Sequence, residues 1–223
     1  FEPLGLKSIT FRKDGMALQR LVTNYSGEQN PNEEKYWSIL RRPAGSLNAS
    51  ALELMPFVQM LMNRGTYGGI KLLDSTSVDR METPVSSLAA EAGSKAGYGL
   101  HNYTTSYKGY LFHGHDGGVN GGLAHYVYNT QLNMGYIVLV NYDGKGFGKL
   151  NDAVMEIIMK DVPSALPAPA ALTAEDKAKW IGYYRSAYPR ARMTYFLEWL
   201  LNIVHVYEKD GQLYSKNLLG GEA

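Results

Sequence analysis

The sequence predicts an α/β chain of the α+β kind, an antiparallel sheet flanked by helices and followed by a small α+β appendage. Between Tyr98 and Asn141, stretches rich in Tyr, Val, Leu and Thr alternate with turns that contain Gly or Asn, the pattern of consecutive strands. On both sides of that block, apolar residues recur at helical spacing. A run of Ala and Pro, Asp161–Ala171 with Pro163, Pro167 and Pro169, then separates it from the rest of the chain, and such a composition makes an extended spacer instead of a helix.

The first strong element is a helix over Asn48–Arg64, where Leu52, Met55, Val58 or Gln59, and Met62 share a face and Ser50 with Glu53 forms a capping box. Pro56 lies inside it and predicts a kink or an early 3₁₀ turn, and Gly65 supplies the stop. A second helix starts at Asp74 or Ser75, reaches Met81 and is ended by Pro84. A loop of Ser, Ala and Gly leads to Gly97. Strands are then expected at Tyr98–Tyr103, Tyr107–His113, Leu123–Tyr128 and Met134–Asn141. The unbroken apolar run Tyr136–Val140 fits a strand covered on both faces. Leu150, Val154, Ile157 and Ile158 mark an amphipathic helix that packs on the sheet. Beyond the spacer, Thr173–Ser186 begins as a helix and Met193–Ile203 forms a second one. Val204–Leu218 is a hairpin turned at Asp210-Gly211. No internal repeat is visible. The domain division is therefore 1–160, a spacer at 161–171, and a small domain at 172–223.

A chain of 223 residues with 45% hydrophobic and 19% charged residues buries a core without covalent staples. A net charge of +1 and the absence of a dense Lys/Arg stretch argue against nucleic acid as a partner. With no cysteine there is no disulfide or thiolate chemistry. The apolar stretches Tyr136–Val140 and Tyr195–Val206 are too short or too interrupted to span a bilayer. Phe1-Glu2-Pro3-Leu4 and Gly220-Gly221-Glu222-Ala223 read as cuts in a longer protein.

The segment Phe112–Gly122 holds five glycines and two histidines between two expected strands. Glycine loses the most entropy on ordering, so this composition suits a backbone that something approaches closely. Three readings compete. His113 and His115, two apart on a strand, could share a metal, although no third ligand stands at a recognisable spacing. The segment could be a Gly-rich turn with incidental histidines. Or it could be the wall of an enzyme site.

The third reading rests on a resemblance. Phe1–Phe11, Ala44-Gly45-Ser46-Leu47, Ser50 with Glu53, Gly97-Tyr98-Gly99-Leu100, His115-Asp116-Gly117 and Met134–Asn141 follow one another in the order and spacing of a known pattern. Over most of Phe1 to Asp143 the chain resembles the serine β-lactamase, D,D-peptidase and penicillin-binding-protein superfamily, near the branch of class C β-lactamases. The resemblance implies the C-terminal part of a β-lactamase/transpeptidase-like domain, with the N-terminal strands and the nucleophile helix missing. It implies acyl transfer from a Ser-x-x-Lys serine, assisted by Tyr-x-Asn, to hydrolyse an amide, ester or β-lactam bond. His115 and Gly117 match the strand that holds the substrate; His115 would give it a hydrogen bond, and the N–H of Gly118 would form half of the oxyanion hole. No metal or cofactor is implied, and the partner is a small-molecule or peptide substrate. Location outside the cytoplasm follows from the resemblance alone.

Departures qualify the match. The chain contains neither Ser-x-x-Lys nor Tyr-x-Asn, so by itself it is expected to be inactive; a non-catalytic binding domain with the same fold is the alternative. Ser46-Leu47-Asn48 has the form of the Ser-x-Asn variant but falls on the helix-entry turn. Asp116 replaces the usual hydroxyl residue and puts a carboxylate where a β-lactam's carboxylate would sit, which favours esters, amides or amine-bearing peptides. His101, His125 and His205 are taken as structural, and Arg190 and Arg192 as solvated charge. Trp180–Tyr184 and Tyr188–Arg190 resemble the start of accessory domains in this superfamily. The missing strands would leave an open sheet edge, inviting a homodimer or a domain swap.

Overall fold

The computed structural model describes the chain apart from residues 13–18, 29, 37–38, 41–43, 86, 101, 169–170, 186–199 and 219–223. In chain order the helices are α1 (Ala51–Met62), α2 (Ser75–Glu82), α3 (Leu88–Glu91), α4 (Phe147–Met159) and α5 (Ala174–Trp180). The strands are β1 (Asn24–Ser26), β2 (Asn32–Glu34), β3 (Thr66–Tyr67), β4 (Ile70–Lys71), β5 (Gly97–Tyr98), β6 (Tyr103–Tyr107), β7 (Tyr110–Val119), β8 (Gly122–Asn129), β9 (Met134–Val140), β10 (Gly182–Arg185), β11 (Ile203–Lys209) and β12 (Gln212–Asn217). They form two compact units: Phe1–Val85 with Lys95–Ala165, and Ser86–Ser94 with Leu166–Ala223.

The first unit is built on an antiparallel meander in the order β5-β6-β7-β8-β9. Alternation along β8 explains its two cores. Tyr126 and Tyr128 face α1 and α2, where Tyr128 is buried with Val58, Met60, Leu61 and Val78, and Ile137 of β9 packs beside them. Val127 faces the other way, into a cluster with Phe112, Met155 and Met159 that Met134 and Tyr136 complete. Helices thus cover both faces, and the unbroken apolar run of β9 serves both layers although β9 is an edge strand.

The capping box of α1 is formed: the Ser50 hydroxyl accepts from the Glu53 N–H at 3.2 Å, and the Glu53 carboxylate accepts from the Ser50 N–H at 3.2 Å. The α-helix runs through Pro56 with no 3₁₀ turn. Gly65, at φ +97°, closes it by donating to the Met60 carbonyl at 2.8 Å.

Three expectations are corrected. Strand β6 begins at Tyr103 and ends at Tyr107, because Lys108-Gly109, both at positive φ, makes a tight hairpin turn that the sequence reading placed inside a strand. Strand β7 does not stop at His113 but continues through the glycines to Val119. On α4 the buried stripe is Asn151, Met155 and Met159, while Leu150 and Ile157 are exposed. Ile158 of the expected stripe does pack against the Phe112–Met159 cluster, and Asn151 shares the buried face with its amide nitrogen donating to the Phe147 carbonyl at 2.9 Å while its Oδ1 has no partner among the described residues.

In the second unit, Thr173 caps α5 through the Asp176 N–H. The segment begins as a helix, as expected; the helix ends at Trp180, and Gly182–Arg185 forms β10. Strands β10, β11 and β12 form an antiparallel sheet with the hairpin turn at Asp210-Gly211, both at positive φ. The expected helix at Met193–Ile203 lies mostly outside the described residues, and Ile203 itself opens β11. His101, Arg190 and Arg192 also lie outside them.

Candidate active site

The ten-residue strand β7 outruns its neighbour on one side. Its pairing with β6 ends at Tyr103 opposite Gly114. Its pairing with β8 continues to Val119 opposite Gly122, across the turn at Asn120-Gly121. In an antiparallel ladder closed by a two-residue turn, alternate pairs exchange hydrogen bonds, beginning with the pair that flanks the turn. His115 and Gly117 therefore bond to β8, and the backbone N–H and C=O groups of Asp116 and Gly118 turn to the side where β6 has ended, an edge that is open in having no further strand paired to it among the described residues. Asp116, Gly117 and Gly118 are exposed. The far end of this stretch is tied by the Gly121 N–H, which donates to the Asp143 carboxylate at 2.8 Å.

Two glycines of β7 have different reasons for being glycine. A Cβ on Gly114 would lie 2.1 Å from the Tyr126 carbonyl oxygen, so the pleat itself demands glycine there. A Cβ on Gly117 would meet nothing closer than the Ala124 Cβ at 4.0 Å. Packing leaves room for a side chain at 117.

His115 sits beside this open edge, with its side chain 34% exposed. Its Nδ1 lies 2.5 Å from the Asp116 carbonyl oxygen and its Nε2 lies 2.6 Å from the Tyr98 hydroxyl. The rings of Tyr98 and Tyr103 flank the imidazole at 5.7 and 6.0 Å. The Asp116 carboxylate is largely exposed; its charge, after burial, helps push the Tyr103 hydroxyl up to about 12. Burial holds His125 below the usual imidazole range, with Asp116 opposing, and its Nε2 meets the Tyr103 hydroxyl at 3.1 Å.

His113 belongs to a different neighbourhood. Its Nδ1 meets the Thr104 hydroxyl at 2.9 Å and its Nε2 is 3.9 Å from the Glu82 carboxylate. Burial lowers its pKa, Glu82 opposes that, and Arg64 adds to it. Glu82 anchors a network that the sequence reading did not find. It takes Arg64 at 2.6 Å on one oxygen and the Tyr128 hydroxyl at 2.8 Å on the other. Asn102 donates to Tyr128 at 2.9 Å and accepts from the Tyr126 hydroxyl at 2.8 Å. Tyr126 stands opposite His115 in the ladder, so the network braces β7 from beneath. Burial pushes the hydroxyls of Tyr126 and Tyr128 upward and keeps both protonated as donors.

His113 and His115 thus each have their own partners, and among the described residues no group of three His, Cys, Asp or Glu side chains is placed to hold a metal. Ser46, at φ +64°, accepts from the Ile39 N–H at 2.9 Å, and Asn48 donates to the Thr10 carbonyl at 3.2 Å. Both members of the Ser-x-Asn triplet serve loop hydrogen bonds.

A protein-family model described as Beta-lactamase matches residues 1–158. No curated protein matches the chain. Among solved structures, the octameric penicillin-binding protein homologue from Pyrococcus abyssi superposes with a TM-score of 0.59 at 19% identity, over 97% of this chain and 46% of that one. SurE aligns with a TM-score of 0.49 at 19% identity, over 88% of this chain and 43% of that one. The chain spans less than half the length of either structure.

Proposed function

The chain belongs to the beta-lactamase family, and on that footing we propose that it supplies the substrate-holding strand of a serine hydrolase that cleaves an amide, ester or β-lactam bond through an acyl-enzyme. The supporting observation is the open edge of β7, where Gly117 has no steric reason to be glycine and leaves the strand clear for close approach. An extended substrate pairs along that edge. The Gly118 N–H, turned outward, is one of the two oxyanion donors, and such a donor contributes about 2.7–4 kcal/mol to the transition state. The exposed Asp116 carboxylate disfavours a substrate carboxylate and favours esters, amides or amine-bearing peptides. The chain of 223 residues has no Ser-x-x-Lys or Tyr-x-Asn, so nucleophile and base come from outside it, and alone it turns over nothing.

That absence also favours a second reading, a binding domain that keeps the fold without the chemistry. A fluorophosphonate probe separates the two. Labelling of the intact protein but not of this chain is the result expected of the hydrolase; no labelling of either supports the binding domain. Efficient nitrocefin turnover by the intact protein would overturn the assigned substrate preference. The Pyrococcus abyssi homologue is an octamer, and we extend to this chain self-association through the edge of β9, which pairs only with β8 among the described residues. A monomer by light scattering would count against it. Location outside the cytoplasm completes the proposal.

A further inference from the structure

Two of the hydrogen-bond partners of His115 are inequivalent, and their chemistry places its proton. The Asp116 carbonyl, 2.5 Å from Nδ1, can only accept, so Nδ1 carries the hydrogen. In the neutral ring Nε2 is then an acceptor, and the Tyr98 hydroxyl at 2.6 Å donates to it. Tyr98 is held for this role. Its backbone pairs with Tyr103 on β6, and the Gly99 N–H that follows donates to the Asn102 carbonyl at 2.8 Å. Asn102 is fully buried and tied to Tyr126 and Tyr128. The tyrosine ring meets the imidazole edge-to-face, with an interplanar angle of 80°.

We propose that Tyr98 is a positioning residue: the Asp116 carbonyl selects the Nδ1–H tautomer, and the Tyr98 hydroxyl, donating to Nε2, holds the ring in the orientation that keeps Nδ1–H on that carbonyl at the open edge of β7. The consequence for the substrate rests on the hydrolase reading above. With Nδ1–H spent on Asp116 and Nε2 occupied by Tyr98, the imidazole offers a substrate no N–H while Tyr98 stays in place. What the edge presents beside Gly118 is a set of acceptors, the Tyr98 oxygen and the Asp116 carboxylate. Their match is a substrate group that donates, an ammonium or an amide N–H, on the part that lies next to the scissile carbonyl.

The tautomer is measured by ¹⁵N NMR of the histidine rings near neutral pH, on this chain and on Tyr98→Phe. The expected result is a Nδ1–H pattern for His115 that moves toward Nε2–H, or to an exchanging mixture, in the variant. His113 and His125 should keep their patterns, which reports that the fold is intact. A Nε2–H pattern for His115 in the unsubstituted chain overturns the proposal, and that result stands whether or not the variant folds. An unchanged Nδ1–H pattern in a folded Tyr98→Phe also overturns it. Because no turnover is read, failure here is distinct from failure of the intact protein to take a serine probe.

Discussion

Replacing Glu82 by Gln tests whether the buried network carries the weight that its geometry assigns. Glu82 is 7% exposed and joins Arg64 at 2.6 Å to the Tyr128 hydroxyl at 2.8 Å. Removing one partner of a buried ion pair costs about 3–5 kcal/mol, because the other charge is left uncompensated. Two features lower that figure here. The Arg64 side chain is 31% exposed and also reaches Asp79, and the Gln carbonyl still accepts from Tyr128. What remains is the loss of one charge-assisted hydrogen bond, about 1.5–3 kcal/mol, so the expected destabilisation is about 2–3 kcal/mol. The assay is urea unfolding followed by circular dichroism, on Glu82→Gln, Arg64→Met and the double variant. Residues in one network couple, so the double should cost less than the sum of the singles by at least about 0.5 kcal/mol. A single-variant loss below about 1 kcal/mol, or strict additivity, would refute the reasoning.

Two further expectations follow from the same strands. Gly117→Ala should raise stability by about 0.4–1 kcal/mol, since it stiffens the unfolded chain where the fold has room, and it should weaken serine-probe labelling of the intact protein. Gly114→Ala, with its Cβ 2.1 Å from a carbonyl oxygen, should instead destabilise or prevent folding; similar melting behaviour of the two variants would dismiss the distinction. Burial holds His113 and His125 below their ordinary value of 6.5. The unfolded chain therefore takes up protons first, and stability that is complete above pH 6.5 is lost as the pH falls through the lower folded values. Urea midpoints should drop over that window, and a His113→Gln/His125→Gln variant should show a flatter profile; a midpoint that rises toward acid would contradict it.

What was legible in the sequence depended on how local its cause is. The capping box of α1 needs only Ser50 and Glu53, three residues apart, and both reciprocal bonds form. The Asp210-Gly211 turn is equally local. The Lys108-Gly109 turn was missed because Lys108 takes a positive φ that lysine rarely adopts. By pattern alone the glycines of β7 fall between two expected strands, while the resemblance puts His115 and Gly117 on one, and pairing with β8 keeps them in strand up to Val119. Of the proposed site, composition singled out Phe112–Gly122 and the resemblance picked His115, Asp116, Gly117 and Gly118 from it, but the open edge beside them depends on where β6 ends. The Glu82 network had no local signal. Its members come from just past α1, from α2, from the residue before β6 and from β8, and Glu82 and Tyr128 are 46 residues apart. Tyr98 was visible as part of Gly97-Tyr98-Gly99-Leu100, while its bond to His115 is a tertiary fact.

The unequal demands on Gly114 and Gly117 also bear on how this chain ages in evolution. Position 114 is guarded by geometry in every descendant that folds this strand. On the proposed role of this strand, position 117 is guarded only by use, because the stabilising replacement is sterically open. A lineage that stops using the edge gains stability by accepting a side chain at 117 and gains nothing by changing 114. The two glycines therefore act as a paired record, one reporting that the strand is still built and the other that it is still needed.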